Sequence, residues 1–161
     1  MPSYLSFTHS GKIDSYFSLI KIYSELTIND QYTGDTILAL LRSMFSKEEK
    51  SYPNPLWLKK LHEIIENRWD EFISLEDLAL ELRVHPVTIS KYFRKYSNCT
   101  LADYMRKIKI EKALHLILHS KRSITETAFI CGFSDHSHMI RLFKFYLGFR
   151  PKEISLLQSV C

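Results

Sequence analysis

Glycine and proline are scarce in this chain of 161 residues, at 4 and 5 respectively. Folds of many short strands turn on those two residues, so a β-rich architecture is disfavoured. No apolar run approaches the roughly 18 residues that a membrane span needs; the longest strong one is Ile37-Leu38-Ala39-Leu40-Leu41. The first residues lack a basic stretch leading into an apolar one, so secretion is not signalled. Cysteine occurs three times, as Cys99, Cys131 and Cys161, an odd and unpatterned set that suits a reducing compartment. A cytoplasmic protein is the expectation. The sequence also lacks a Gly-rich phosphate loop, a Ser/His/Asp arrangement and an obvious carboxylate pair, so no enzyme activity is expected.

What is present is a skewed charge. The net value is +4. Residues 1–54 hold 5 basic and 6 acidic side chains, whereas residues 83–153 hold 14 basic and 5 acidic ones. A basic lobe of that kind attracts polyanions, although a solvated basic surface would give the same count.

Ser51-Tyr52-Pro53-Asn54-Pro55 divides the chain, because two prolines so close together forbid a continuous helix. Residues 51–55 are therefore read as a linker. Two helical patterns precede it. One lies near Ile13–Leu26, with Ile13, Tyr16, Phe17, Ile20 and Tyr23 in phase; the other lies near Thr36–Phe45, with Ile37, Leu40, Leu41, Met44 and Phe45. Two helices bury too little to stand alone, so they must dock on a partner chain, on the second region, or on an upstream domain.

After the linker, Trp57, Leu61, Ile64, Ile65 and Trp69 mark a helix, and then the sequence repeats. Ser74-Leu75-Glu76-Asp77-Leu78-Ala79 returns 49 residues later as Ser123-Ile124-Thr125-Glu126-Thr127-Ala128. Ile89, Phe93 and Tyr96 return 50 residues later as Met139, Phe143 and Tyr146. Each copy reads as helix, tight turn, helix. Ser74 with Asp77, and Ser123 with Glu126, match the capping box that opens a helix. Ala79 and Ala128 sit where paired helices must approach, Pro86 suits a first helical turn, and Gly132, Asn98 and Gly148 suit left-handed helix ends. Between the copies, Thr100 and Asp103 form a third capping box, opening a spacer helix that ends near His119 and is about 27 Å long.

The expected fold is thus all-α: two helix-turn-helix subdomains, near 74–96 and 123–147, joined by a long spacer helix and preceded by a helical pair. On the second helix of each unit, Ile89, Phe93 and Tyr96, or Met139, Phe143 and Tyr146, form the core face. The opposite faces hold Val87, Ser90, Lys91 and Arg94 in the first copy, and Ser137, Ile140, Arg141 and Lys144 with His136 at the start in the second. Such a mixture suits the major groove of duplex DNA, where Arg or Lys donates to guanine and Val or Ile meets a thymine methyl. One such face could be ordinary solvated surface; two in equivalent positions make that reading much weaker.

The run Gly132-Phe133-Ser134-Asp135-His136-Ser137-His138-Met139-Ile140-Arg141-Leu142-Phe143-Lys144, followed by Gly148 and Pro151, resembles the signature of AraC-type transcription regulators, the AraC/XylS family. His85-Pro86-Val87 through Phe93-Arg94, then Cys99-Thr100-Leu101, Tyr104 and Arg106, resembles the same family's first unit. The likeness covers about 57–158. It implies a domain over 56–161 with seven helices, whose two recognition helices enter successive major grooves of double-stranded DNA. By position it assigns base reading to Val87, Ser90 and Lys91 in the first unit and to His136, Ser137, Ile140 and Arg141 in the second. Phosphate contact is expected from Ser74, Arg94, Lys95, Arg106, Lys107, Lys121, Arg122, Ser123 and Lys144. The likeness implies a transcription regulator, activator rather than repressor, with RNA polymerase as protein partner and no cofactor or metal.

Residues 1–50 resemble more faintly the helical tail of the sensor and dimerisation domain that precedes such units, which implies a homodimer through this segment. A counterpart of the effector-binding β-barrel is not found, so the chain reads as a fragment or as a short regulator without its own ligand pocket. Three departures from the family pattern stand out. Arg83 replaces the usual turn glycine, Met139 a phenylalanine, and Arg150 a helix-capping threonine. Of the rival readings, a metal site at Cys131, His136 and His138 fails, since His136 and His138 point about 200° apart on a helix. A protein-interaction module or regulatory fragment with weakened DNA binding is the remaining alternative.

Overall fold

A computed structural model describes residues 9–28, 30, 32–45, 55–120 and 122–158. Most of the proposed linker (51–54) and Lys121 lie outside the described residues, and within 9–28 the side chains of Ile13 and Tyr16 do too. Among the described residues the architecture is all-helical: α1 (His9–Ile28), α2 (Thr33–Phe45), α3 (Leu56–Asn67), α4 (Leu75–Leu82), α5 (Pro86–Ser97), α6 (Leu101–His119), α7 (Ile124–Ile130), α8 (His136–Leu147) and α9 (Pro151–Gln158). No helix of the described residues is long and apolar enough to cross a membrane.

The repeat is reproduced in the helix caps and the core. Ser74 and Ser123 each open their helix with a complete capping box, to Asp77 and Glu126. At the far ends, Val84 N–H donates to Ala79 O at 3.0 Å and Phe133 N–H to Ala128 O at 3.0 Å. These are the same bonds 49 residues apart, and each satisfies a helix-end carbonyl. Ala79 and Ala128 are buried, as are Ile89 and Phe93 in the first unit and Met139, Phe143 and Tyr146 in the second. Asn98 and Gly148 close α5 and α8 in the left-handed region, at φ 54 and φ 87.

α6 does the joining. Its buried residues fall on two sides: Tyr104 and Ile108 on one, Ile110, Ala113, Leu114 and Ile117 on the other, about half a turn away. Tyr104 packs edge-on against Phe93 and tilted against His62, with centroids 5.4 and 5.1 Å apart. The other side meets α7, α8 and α9. A helix clasped from both sides has no single apolar stripe. Its N-terminus differs from the sequence expectation. Thr100 Oγ1 accepts from Asp103 N–H at 3.1 Å, but the Asp103 carboxylate turns away, accepting from Tyr146 Oη at 2.5 Å and pairing with Lys107 Nζ at 3.5 Å. The third box is therefore half a box, because Asp103 is used to tie α6 to α8.

The N-terminal pair docks on the second unit. Phe17 of α1 is buried, its ring 5.9 Å from that of Tyr146 on α8, and α1 also touches α6. Tyr23, in phase with Phe17 in the sequence, is instead exposed. At the other end, the missing threonine before α9 is partly made good, since Glu153 Oε2 accepts from Arg150 N–H at 2.8 Å.

Candidate nucleic-acid interface

α5 and α8 are the second helices of the two units. In the first unit Val87, Ser90, Lys91 and Arg94 line one shallow groove with Leu75 and Pro86. Val87 is 64 % exposed, so its methyl groups are open to a partner on this face. The helix is fixed at its start by His85, whose Nδ1 accepts from Val87 N–H at 3.3 Å, and by Pro86 in the first turn. In the second unit His136, Ser137 and Arg141 are exposed, while Ile140 is half-buried and offers only part of its side chain. Asp135 caps this helix, accepting from His138 N–H at 2.7 Å. That bond, first among its causes, holds the Asp135 carboxyl below the ordinary range, with help from Ser134 and Arg141. His138 turns inward, edge-on to Phe133 at 5.8 Å and with its Nδ1 3.1 Å from Ser134 Oγ, so it belongs to the turn and not to the reading face.

The expected phosphate residues divide. Arg94, Lys95, Arg106, Arg122 and Lys144 are exposed. Arg94 and Lys95 in α5, and Lys144 in α8, also sit in last turns, where cations complement the helix dipole. Lys107 is placed elsewhere: its side chain is 18 % exposed, paired to Asp103 and turned toward Phe17 and Lys21 of α1. Arg106 hydrogen-bonds the Tyr146 hydroxyl from the same turn of α6. Ser74 and Ser123 use their hydroxyls in the boxes, at 3.0 Å to Asp77 N and 3.1 Å to Glu126 N. The matching carboxylates accept from the serine N–H groups at 3.1 and 2.8 Å. A phosphate at either helix start therefore meets the next two amides, beside a carboxylate, and not the serine itself.

Sequence reasoning missed three residues here. Tyr92 is exposed beside the first reading face, with Lys91 Nζ 5.9 Å from its ring centroid. It lies at the edge of the core face, three residues after Ile89 and four before Tyr96, on whose ring it stacks. Asp135 lies inside the family-like run, where nothing in the motif itself marks it as the cap of α8. Lys109, in mid-spacer, was read as part of the charge count only. Among the described residues no three His, Cys, Asp or Glu side chains gather as a metal set. Cys131 is buried beneath the second turn, and burial pushes its thiol up to about 12.

Two capped helix-turn-helix units, set on either side of one spacer helix with mixed basic faces outward, define the class: a double helix-turn-helix domain. The model of a helix-turn-helix domain family matches residues 78–155. The chain is 30% identical over 118 residues to the HTH-type transcriptional activator RhaS of Klebsiella pneumoniae, a match covering 73% of this chain and 42% of that protein. It thus spans less than half the length of that relative. Among solved structures, the C-terminal domain of the two-component response regulator yesN from Fusobacterium nucleatum superposes with a TM-score of 0.56 at 28% identity, covering 60% of this chain and 95% of that one. The DNA-binding domain of AdpA, solved with a target DNA, gives 0.60 at 20% identity, covering 64% and 93%, a likeness of fold. The chain carries this helix-turn-helix domain and over that region resembles the AraC/XylS-type regulators.

Proposed function

We propose that this chain is a sequence-specific regulator of transcription that reads two successive major grooves of duplex DNA with α5 and α8. The observation that carries the reading is the equivalence of the two outer faces. Val87, Ser90 and Lys91 on one helix, and His136, Ser137 and Arg141 on the other, are all exposed at related positions in a repeated scaffold. Ile140 contributes through the part of its side chain left uncovered. Arg94, Lys95, Arg106, Arg122 and Lys144 supply phosphate contacts, with the helix starts after Ser74 and Ser123 adding backbone N–H groups. Lys121 joins this set on sequence position alone, and Lys107 leaves it.

The regulator acts as an activator, supported by the naming of its RhaS relatives as activators, with RNA polymerase as the protein it recruits in the cytoplasm. It works as a homodimer through the N-terminal helix pair. Leu19, Tyr23 and Leu26 form an exposed stripe along α1, and Leu38 of α2 is exposed as well. Selection of bound sequences from a random duplex pool, followed by gel shift on the winners and on scrambled DNA, tests the reading. Enrichment of one bipartite sequence supports it. Equal binding to scrambled DNA, or none, favours the interaction-module alternative. Sedimentation of Leu19→Glu beside the wild type tests the dimer.

A further inference from the structure

The two units meet at one backbone junction, and its chemistry goes beyond DNA contact. Gly132 sits in the turn between α7 and α8 with φ +63. A Cβ there would lie 2.3 Å from the backbone oxygen of Asp70 and 2.9 Å from Lys109 Nζ. Asp70 belongs to the first unit, in the loop between α3 and α4. Lys109 rises from the middle of the spacer and donates to Gly132 O at 3.1 Å. Three segments distant in sequence therefore come together within a few ångströms, directly below the helix that carries His136, Ser137 and Arg141.

The loop that bears Asp70 is tied down by hydrogen bonds from Arg68. Arg68 N–H donates to Ile64 O at 3.0 Å, and Arg68 bonds Glu71 through Nε at 2.7 Å and Glu81 through Nη1 at 3.1 Å. The lysine is paying for its place, since burial lowers its pKa while Cys131 and Asp70 oppose that shift. A surface lysine with free choice would keep its ammonium in water.

We propose that the Lys109–Gly132–Asp70 junction fixes the orientation of α8 relative to α5, and that Lys109 is the positioning residue which sets the spacing this protein accepts between its two DNA segments. The inference rests on the proposed DNA-reading function, but only in part, because rigidity is measurable without DNA. Inserting one base pair moves the second segment by about 3.4 Å and turns it by about 34°. A braced pair of readers rejects that change; a loosely hinged pair follows it.

The test uses the full chain with Lys109→Met, which keeps the stem and removes the donor, and Lys109→Arg, which keeps a donor. The first readout is the distance distribution between spin labels at Ser90→Cys and Ser137→Cys, with Cys99 and Cys161 changed to serine and no DNA present. The expected result is a broader distribution in Lys109→Met and a near-native one in Lys109→Arg. Unchanged width in Lys109→Met overturns the brace whether or not the chain binds DNA. The second readout is gel shift on the selected duplex, on the same duplex with one base pair inserted, and on each half alone. Wild type should prefer native spacing by at least tenfold, and Lys109→Met by less than threefold, with half-site affinities within twofold of wild type. Retained discrimination, or equal loss on both half-sites, overturns the assignment. A wild type that binds none of these duplexes while the label distances behave as expected refutes the DNA-reading function and leaves the brace standing.

Discussion

Arg83 and Gly132 occupy the same place in the two turns, and both are left-handed, at φ 54 and φ 63. Each donates its N–H back into the helix before it, Arg83 to Leu80 O at 3.2 Å and Gly132 to Phe129 O at 3.0 Å. The turn is therefore one shape made by two residues, of which only glycine adopts it freely. Arg83 takes on the cost of the left-handed region without reshaping the turn. The backbone holds its geometry and the arginine conforms.

Arg83→Gly should stabilise the protein by about 0.5–1 kcal/mol, the left-handed penalty less the entropy that glycine adds to the unfolded chain. Thermal melting would register a rise of a few degrees. A fall in Tm would mean that the arginine side chain contributes more than its backbone costs.

Gly132→Ala should do the reverse, and more strongly. The new Cβ meets a backbone oxygen at 2.3 Å, not the movable end of a side chain. Backbone strain of this sort costs on the order of 1–3 kcal/mol. Melting within a degree of wild type would show that the α3–α4 loop moves aside without penalty, despite the bonds that Arg68 makes there.

The capping boxes should be visible in pH dependence. Asp77 and Glu126 are held below the ordinary carboxylate range, first by the side-chain hydrogen bond from Ser74 or Ser123 and then by the backbone N–H of the same serine. A depressed folded-state pKa means stability that is complete above the unfolded value of about 4 and is lost as pH falls through the folded one. Between pH 7 and 3, Tm of the Ser74→Ala/Ser123→Ala variant should decline less steeply at the acid end than that of wild type. Parallel curves would place the pH sensitivity in other carboxylates.

Much of this was legible because the sequence says it twice. Paired boxes, paired alanines and paired core triplets each fixed a register that one copy would have left open. α6 had no such help. Its two buried sides cancel as a periodic signal, and it was found from Thr100 and from its length. Asp103 misled for a related reason. A capping box is a local pattern, and the Tyr146 hydroxyl that captures this carboxylate lies 43 residues away. Lys107 was likewise counted by charge, which cannot tell a lysine facing DNA from one folded under α1. Gly132 was understood as a helix end; its close approach to Asp70 depends on tertiary contact alone.

Salt should weaken DNA binding steeply. With about six phosphates neutralised, affinity should fall roughly a thousandfold between 50 and 200 mM salt. Arg122→Ala should reduce the slope of log affinity against log salt by about 1. Lys107→Ala should leave it unchanged, because that ammonium is committed to Asp103. A slope that drops for Lys107 and not for Arg122 would reverse this division of phosphate residues.

Arg141 and Lys91 should read different segments of one asymmetric site. Both are exposed on second helices, one turn in from the capped start, and the side chains around them differ: Val87 and Ser90 near Lys91, His136 and Ser137 near Arg141. Similar cores hold different readers, so the two segments should carry different bases. Arginine presents two donors to the guanine edge in a fixed plane, whereas the lysine ammonium is a point charge, here also within 5.9 Å of the Tyr92 ring. Arg141→Ala should therefore cost about 1–3 kcal/mol and relax one or two base pairs in its segment only. Lys91→Ala should give a smaller loss confined to the other segment. Binding measured on a panel of single-base operator variants resolves the two. Equal loss on selected and random DNA for Arg141→Ala would move that residue to phosphate contact, and relaxation of the same segment by both substitutions would end the two-reader scheme.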